Sequence, residues 1–269
     1  MDSSPGGFTI VEPDIYMSSI LSLTLTTLKG NPLFFFGLAL TAAIPSSAFL
    51  FLDPFQLITK PQYMMMIGLG NVIIMLIGQG AVSYAVFESL KGEEIAAGAS
   101  LWRGVSRLPT MCLIVILFVF IGIGFSALMS LTVVFLSRSG TVLVVIFLAV
   151  LVILGLALLC RMVVTIQVCV VEKAGALRSF NRSTELTAGN RLKLLALLII
   201  VGFSDFAVKR VGSAIVGLVT QKANVLLFSN ALFGIIMTAF LWVMLAILYF
   251  ELRKATEGLS LANLADIFD

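Results

Sequence analysis

Tyr84-Ala85-Val86-Phe87-Glu88, Gln167-Val168-Cys169-Val170-Val171-Glu172 and Leu248-Tyr249-Phe250-Glu251 each close a long apolar stretch on a glutamate. The three glutamates fall at intervals of 84 and 79 residues. That spacing predicts three copies of one unit of about 80 residues, long enough for two membrane-crossing helices and one short helix lying flat on the surface. The fold expected is all-α: a polytopic membrane protein with six transmembrane helices, arranged as three hairpins in a pseudo-threefold repeat. Each hairpin is preceded by a cytoplasmic, interfacial amphipathic helix. The repeats run approximately over 14–90, 95–172 and 174–251, and 252–269 is left as a cytoplasmic tail.

Composition points the same way. Of 269 residues, 60% are hydrophobic and 12% charged, with a mean hydropathy of +1.13. Soluble domains are about 45–50% apolar and about 25% charged, so lipid is the expected solvent over most of this surface. Little of the sequence is left for a soluble catalytic domain. The chain has no histidine, which removes the commonest general base and metal ligand. Cys112, Cys160 and Cys169 lie within apolar stretches without metal-type spacing, so no metal or cofactor is expected. The first residues lack a basic region followed by an apolar run, and no cleaved signal peptide is indicated.

Six segments are apolar over the roughly 20 residues a crossing requires: 33–52, 63–87, 109–136, 141–168, 192–219 and 225–250. Pro45 is expected to kink the first. Short links at 53–62, 137–140 and around 220–224 suit tight hairpins on one side. The longer links differ in kind. Residues 95–108 carry Leu101, Val105 and Leu108 on one helical face and Arg103 and Arg107 on another. Residues 174–189 set Leu177 and Phe180 against Arg178 and Arg182, and 14–29 has the same length with a Ser/Thr polar face. All three read as interfacial helices. Each enters its span through a breaker: Gly30-Asn31-Pro32, Arg107-Leu108-Pro109 and Gly189-Asn190-Arg191. Eleven Lys and Arg lie on the side of the long links and five on the hairpin side. The positive-inside bias therefore places both termini in the cytoplasm, with the protein in a bacterial inner membrane.

Charges within the apolar segments are costly and need an account. Arg161 reads as a snorkelling arginine or a structural pair with Glu88 or Glu251, or else as a docking group for a lipid phosphate. Asp205 and Lys209, four apart, form one face and an ion pair, as interfacial anchors or as a polar lining. Asn71, Gln79 and Gln167 are expected to hydrogen-bond between helices. Glu88, Glu172 and Glu251 either mark where three helices leave the bilayer or converge on a ring that holds arginines of the interfacial helices. Arg103, Arg107, Arg178 and Arg182 face anionic headgroups, each attracted by about 1 kcal/mol.

The run Val171-Glu172-Lys173-Ala174-Gly175-Ala176-Leu177-Arg178-Ser179-Phe180-Asn181-Arg182-Ser183-Thr184-Glu185-Leu186-Thr187-Ala188-Gly189-Asn190-Arg191 and the ending Glu251-Leu252-Arg253-Lys254-Ala255-Thr256-Glu257-Gly258-Leu259 resemble a known group. They are similar to the membrane domain attached to some bacterial glycerophosphoryl diester phosphodiesterases and to free-standing six-span relatives. In the fused enzymes catalysis belongs to a soluble barrel with histidine and acidic residues. No such barrel lies in this sequence, so the resemblance implies a membrane scaffold and not the phosphodiesterase activity.

Three functions compete. One is a non-enzymatic scaffold or accessory subunit associating with membrane lipids and a membrane-protein partner, with no role in nucleic-acid binding. A second is a transporter or exporter of a small molecule or lipid. The third, an intramembrane enzyme, fails for want of an acid–base pair, since Asp205 and Arg161 are expected near opposite faces of the bilayer.

Overall fold

The computed structural model describes residues 15–52, 61–136, 141–220 and 222–257; the hairpin links at 53–60 and 137–140 and the ending 258–269 lie outside the described residues. Among the described residues every regular element is an α-helix. In chain order they are α1 (Met17–Gly30), α2 (Pro32–Leu52), α3 (Pro61–Lys91), α4 (Ala97–Leu136), α5 (Thr141–Met162), α6 (Thr165–Val171), α7 (Ala176–Leu186), α8 (Arg191–Val219) and α9 (Ala223–Glu257).

Local chemistry sets the boundaries. Pro32 and Pro61 open α2 and α3, where a missing N–H costs nothing. Helix α3 stops at Gly92, whose φ of 78° is the left-handed conformation common just past a helix end. Asn31 separates α1 from α2, and the two axes are bent by 94°. The break between α5 and α6 falls in a run of β-branched residues, Val163-Val164-Thr165, which crowd the preceding turn. The carbonyls freed there find side-chain donors. Thr165 Oγ1 donates to the Met162 carbonyl at 2.8 Å, and Ser183 Oγ of α7 donates to the Arg161 carbonyl at 2.6 Å. A broken helix is tolerable in an apolar setting only when its backbone groups are satisfied in this way.

Four segments are long and apolar enough to cross a bilayer: Met65–Lys91, Ala97–Val134, Val142–Val171, which runs through the α5/α6 break, and Val225–Glu257. The bent α1–α2 pair gives a fifth if counted as one broken span. Helix α8 falls short of the same standard because Asp205, Lys209 and Arg210 interrupt its apolar run. The sequence segments expected as spans one and five are therefore helical, but neither α2 alone nor α8 meets the standard for a crossing, so four or five of the six expected spans are found among the described residues.

One expected breaker does not break. Helix α4 continues through Pro109 for 40 residues, so 97–108 is an arm of α4 and not a separate interfacial helix. The reason is packing upstream of the proline. A Cβ on Gly104 would lie 2.5 Å from the Ile77 carbonyl oxygen and 3.1 Å from Ala81 N, and a Cβ on Gly80 would lie 3.0 Å from Gly104 Cα. The arm is pressed backbone to backbone on α3, which holds it in line with the rest of α4.

Contacts join α2 to α3, α3 to α4, α4 to α5, α5 to α8, α8 to α9 and α9 back to α2. The three hairpins are α2–α3, α4–α5 and α8–α9. Aromatic rings seat on glycines in two of them: Phe125 of α4 on Gly155 of α5, and Phe233 of α9 on Gly212 of α8. The arrangement is not evenly threefold. The C-terminal half of α9 is enclosed, with Val243, Met244, Ala246, Ile247, Leu248 and Tyr249 all buried, while Phe228 and Leu232 nearer its start are exposed; the helix touches α1, α2, α3, α6, α7 and α8. Helices α4 and α5 instead expose many large apolar side chains, among them Phe120, Val134, Val145 and Ile153.

Candidate functional site

The three glutamate-bearing turns meet at one end of the bundle. Phe87 stacks on Phe250 with ring centroids 5.7 Å apart and planes at 15°, which brings the turns of Glu88 and Glu251 together. Helix α6 packs against both α3 and α9, adding the turn of Glu172. This is the basic end of the molecule. The glutamate side chains themselves do not share a ring; each has its own surroundings.

Glu88 is buried and accepts hydrogen bonds from the Ala96 N–H at 3.1 Å and from Ser100 Oγ at 3.3 Å. Its carboxylate thus satisfies an orphan donor at the start of α4, where the helix dipole favours negative charge. Glu172 accepts from Tyr249 Oη at 3.0 Å and from Arg182 Nε at 3.4 Å. Arg182 also reaches Glu185 at 3.5 Å, and its Nη2 meets Glu257. Glu257 accepts from Arg253 Nε at 2.8 Å, and Arg253 Nη1 donates to Tyr249 Oη at 3.3 Å. The result is a closed circuit, Glu172–Arg182–Glu257–Arg253–Tyr249, that ties α6 and α7 to α9. Its α9 carboxylate is Glu257, not Glu251, because α9 runs on past residue 251 into the expected tail.

These contacts correct one expectation and show how α7 packs. Arg182 is occupied by protein carboxylates and is not free for headgroups. Helix α7 turns Ala176, Ser179, Ser183 and Leu186 inward, while Leu177 is 70% exposed. Its packed face is the small-residue one, since close approach to the α5–α6 break requires small side chains. The α4 arm behaves likewise: Ser100 and Gly104 are buried, whereas Leu101, Trp102 and Val105 are exposed.

Beside the circuit, a cavity of about 180 Å³ is bounded by Lys91, Arg103 and Lys173 together with Tyr84 and Phe87. Lys91 Nζ sits 4.6 Å from the Phe87 ring centroid and the Arg103 guanidinium 5.1 Å from that of Tyr84. Arg107 Nη1 donates to the Lys173 carbonyl at 3.2 Å. Arg178 lies exposed on α7. Sequence reasoning singled out Arg103 and Arg107 but passed over Lys91 and Lys173 as ordinary loop charges. The available signal was positional: both follow the repeated glutamate, at three residues and at one.

The remaining residues lie elsewhere. Arg161 pairs with neither Glu88 nor Glu251. It borders an apolar cavity of about 330 Å³ between α4 and α5 with Phe125, Leu128, Leu151, Leu154 and Leu158, and its Nε is buried without a hydrogen-bond partner. Asp205 and Lys209 do pair: Lys209 Nζ is 2.8 Å from Oδ1 and 2.9 Å from Oδ2. Gln167 is 0% exposed, and neither of its amide atoms finds a partner, so the expected bond between helices is not made there. The Asn71 amide points along its own helix, 3.9 Å from Met75 Sδ. Among the described residues no three His, Cys, Asp or Glu side chains gather as a metal site. Comparison with protein families, characterised proteins and solved structures finds none that matches this chain.

Proposed function

We propose that the chain is a non-catalytic scaffold or accessory subunit of a bacterial inner membrane, crossing it six times with both termini in the cytoplasm. Its basic end engages anionic lipids and a membrane-protein partner. The observation that carries the reading is the pairing of exposed apolar side chains with cations at that end: Leu101, Trp102 and Val105 beside the half-buried Arg103 and Arg107 on the α4 arm, and Leu177 beside the exposed Arg178 on α7. An apolar face that the protein itself leaves uncovered, flanked by cations and tryptophan, suits the headgroup boundary.

Six crossings are favoured by length and by the α1–α2 angle. Helices α2 and α8 have 21 and 29 residues, against the roughly 20 needed to span hydrocarbon. A helix bent 94° from its successor lies in the membrane plane when that successor crosses it. The Asp205–Lys209 pair tempers the charge that α8 carries. The resemblance to phosphodiesterase-linked membrane domains supports the same scaffold role. A transporter would need a polar route, whereas the cavities between α4 and α5 have apolar walls with Arg161 as their one charged side chain.

Two measurements test the proposal. Cysteine labelling from the periplasm is expected to reach 53–60, 137–140 and 221, and not 92–96 or 173–175. Purification in mild detergent is expected to bring down a stoichiometric membrane protein together with anionic lipid. A lone protein that catalyses solute flux in vesicles would refute the scaffold reading.

A further inference from the structure

We propose that the cavity between the ends of α3 and α6 and the α4 arm binds a phosphate group, carried by a lipid headgroup or by a small phosphorylated solute. This deepens the lipid-binding part of the proposed function and rests on it only for the identity of the carrier.

Three cations, Lys91, Arg103 and Lys173, border one small cavity, and no carboxylate is among its lining residues. None of the three forms an ion pair among the described residues, although carboxylates are plentiful nearby: Glu172, Glu185 and Glu257 are committed to Arg182 and Arg253, and Glu88 to the start of α4. Like charges gathered without a counter-charge repel each other, and an anion between them reverses the sign of that interaction. The ring faces of Phe87 and Tyr84 hold Lys91 and Arg103 in place without neutralising them. A planar guanidinium with two ammonium groups suits a phosphate: a fork for two oxygens and point charges for the remainder.

Lys173 supplies an independent observation. Its φ of 53° makes it the one non-glycine residue with positive φ among the described residues. The turn after α3 puts Gly92 in the same left-handed region, at φ 78°, where glycine has no steric cost. A lysine in place of a glycine at this left-handed position after α6 is accounted for by the cavity, which Lys173 lines. Size narrows the ligand. About 180 Å³ is below the roughly 300–1,000 Å³ of pockets that enclose drug-sized molecules, so the cavity takes the phosphate and leaves its carrier outside.

The test uses the full chain in a non-ionic detergent, titrated calorimetrically with inorganic phosphate and with dihexanoyl phosphatidic acid, alongside thermal unfolding. Lys173→Gly removes the ammonium and relieves the backbone, while the Lys173 carbonyl that Arg107 holds is retained. It is expected to unfold at the same or a higher temperature and to bind at least about tenfold more weakly. Arg103→Gln is expected to weaken binding as well, and added salt to weaken it for the unmodified chain. Tighter binding of the short-chain lipid than of phosphate assigns the site to a headgroup; equal binding assigns it to a free phosphate. Either supports the proposal. Equal affinity of Lys173→Gly and the unmodified chain, or no binding of either probe to the unmodified chain at about 10 mM, overturns it. Flotation of the unmodified chain with anionic vesicles reads the scaffold proposal separately, since its failure would refute lipid engagement whether or not inorganic phosphate binds the cavity.

Discussion

Adding a single methyl group to Gly104 tests whether the α4 arm is set by backbone contact with α3. The new Cβ would lie 2.5 Å from the Ile77 carbonyl oxygen. Carbon–oxygen contacts normally settle near about 3.3 Å, so the helices must part by about 0.8 Å. Neither partner can yield cheaply, because the oxygen at 2.5 Å and Ala81 N at 3.1 Å are both backbone atoms within α3. Gly122, in the same helix, has nothing within 4 Å of an added Cβ and serves as the control. The gain in helix propensity, about 1 kcal/mol from glycine to alanine, is common to both variants and cancels in the comparison. What remains is the overpacking cost of about 1–3 kcal/mol. Titration with a denaturing detergent in mixed micelles, followed by far-ultraviolet circular dichroism, should therefore place Gly104→Ala below Gly122→Ala by that amount. If Gly104→Ala proves as stable as Gly122→Ala, the close crossing is wrong, and with it the reason given for α4 passing unbroken through Pro109.

Three further outcomes can be read by the same titration. Tyr249→Phe removes a hydroxyl that donates to Glu172 and accepts from Arg253, and should cost about 1–3 kcal/mol; combined with Glu172→Gln it should be less than additive, and strict additivity would argue against the circuit. Arg182→Lys should fail to restore the stability lost in Arg182→Ala, because one ammonium cannot serve Glu172, Glu185 and Glu257 in the three directions that the guanidinium reaches. Gln167→Leu should stabilise the fold by about 1–3 kcal/mol, since it replaces a buried amide without partners by an apolar side chain of similar size; a loss of stability would mean that Gln167 is satisfied in the membrane.

Helix content and the hairpin pairing were legible because each is written in local signals of apolar run length, Pro and Gly. The breaker at Gly30-Asn31-Pro32 was read correctly for the same reason. The breaker at Pro109 was not, because the competing signal, Gly104 against Ile77 and Ala81, lies in another helix and has no local mark. The burial of α9 was equally invisible. Trp242 through Phe250 are apolar in sequence and so are the exposed faces of α4 and α5; hydropathy cannot tell a lipid-facing leucine from an enclosed one when the solvent itself is apolar. The face that α7 packs on the protein was not read at all: it belongs to Ala176, Ser179, Ser183 and Leu186, mostly small residues, because packing between helices in such a setting rewards close approach. The Glu172 circuit depends on two links between residues far apart in sequence, Glu172 with Tyr249 and Arg182 with Glu257, which no periodicity connects.

The structure also changes what the loop charges mean. Counting Lys and Arg to orient the chain treats eleven cations at the basic end as equivalent, and at about 1 kcal/mol each toward an anionic surface they would sum to roughly 11 kcal/mol. They are not equivalent. Arg182 and Arg253 are taken up by Glu172, Glu185 and Glu257, and their charge is answered within the protein. Arg107 is partly engaged by a carbonyl, while Arg178 stands exposed. Neutralising Arg178 should therefore weaken association with anionic vesicles by about 1 kcal/mol and leave stability unchanged, whereas neutralising Arg182 should lower stability and alter vesicle binding little. If the two substitutions behave alike in both measurements, the cations at this end act as one diffuse field, and their division between fold and lipid fails.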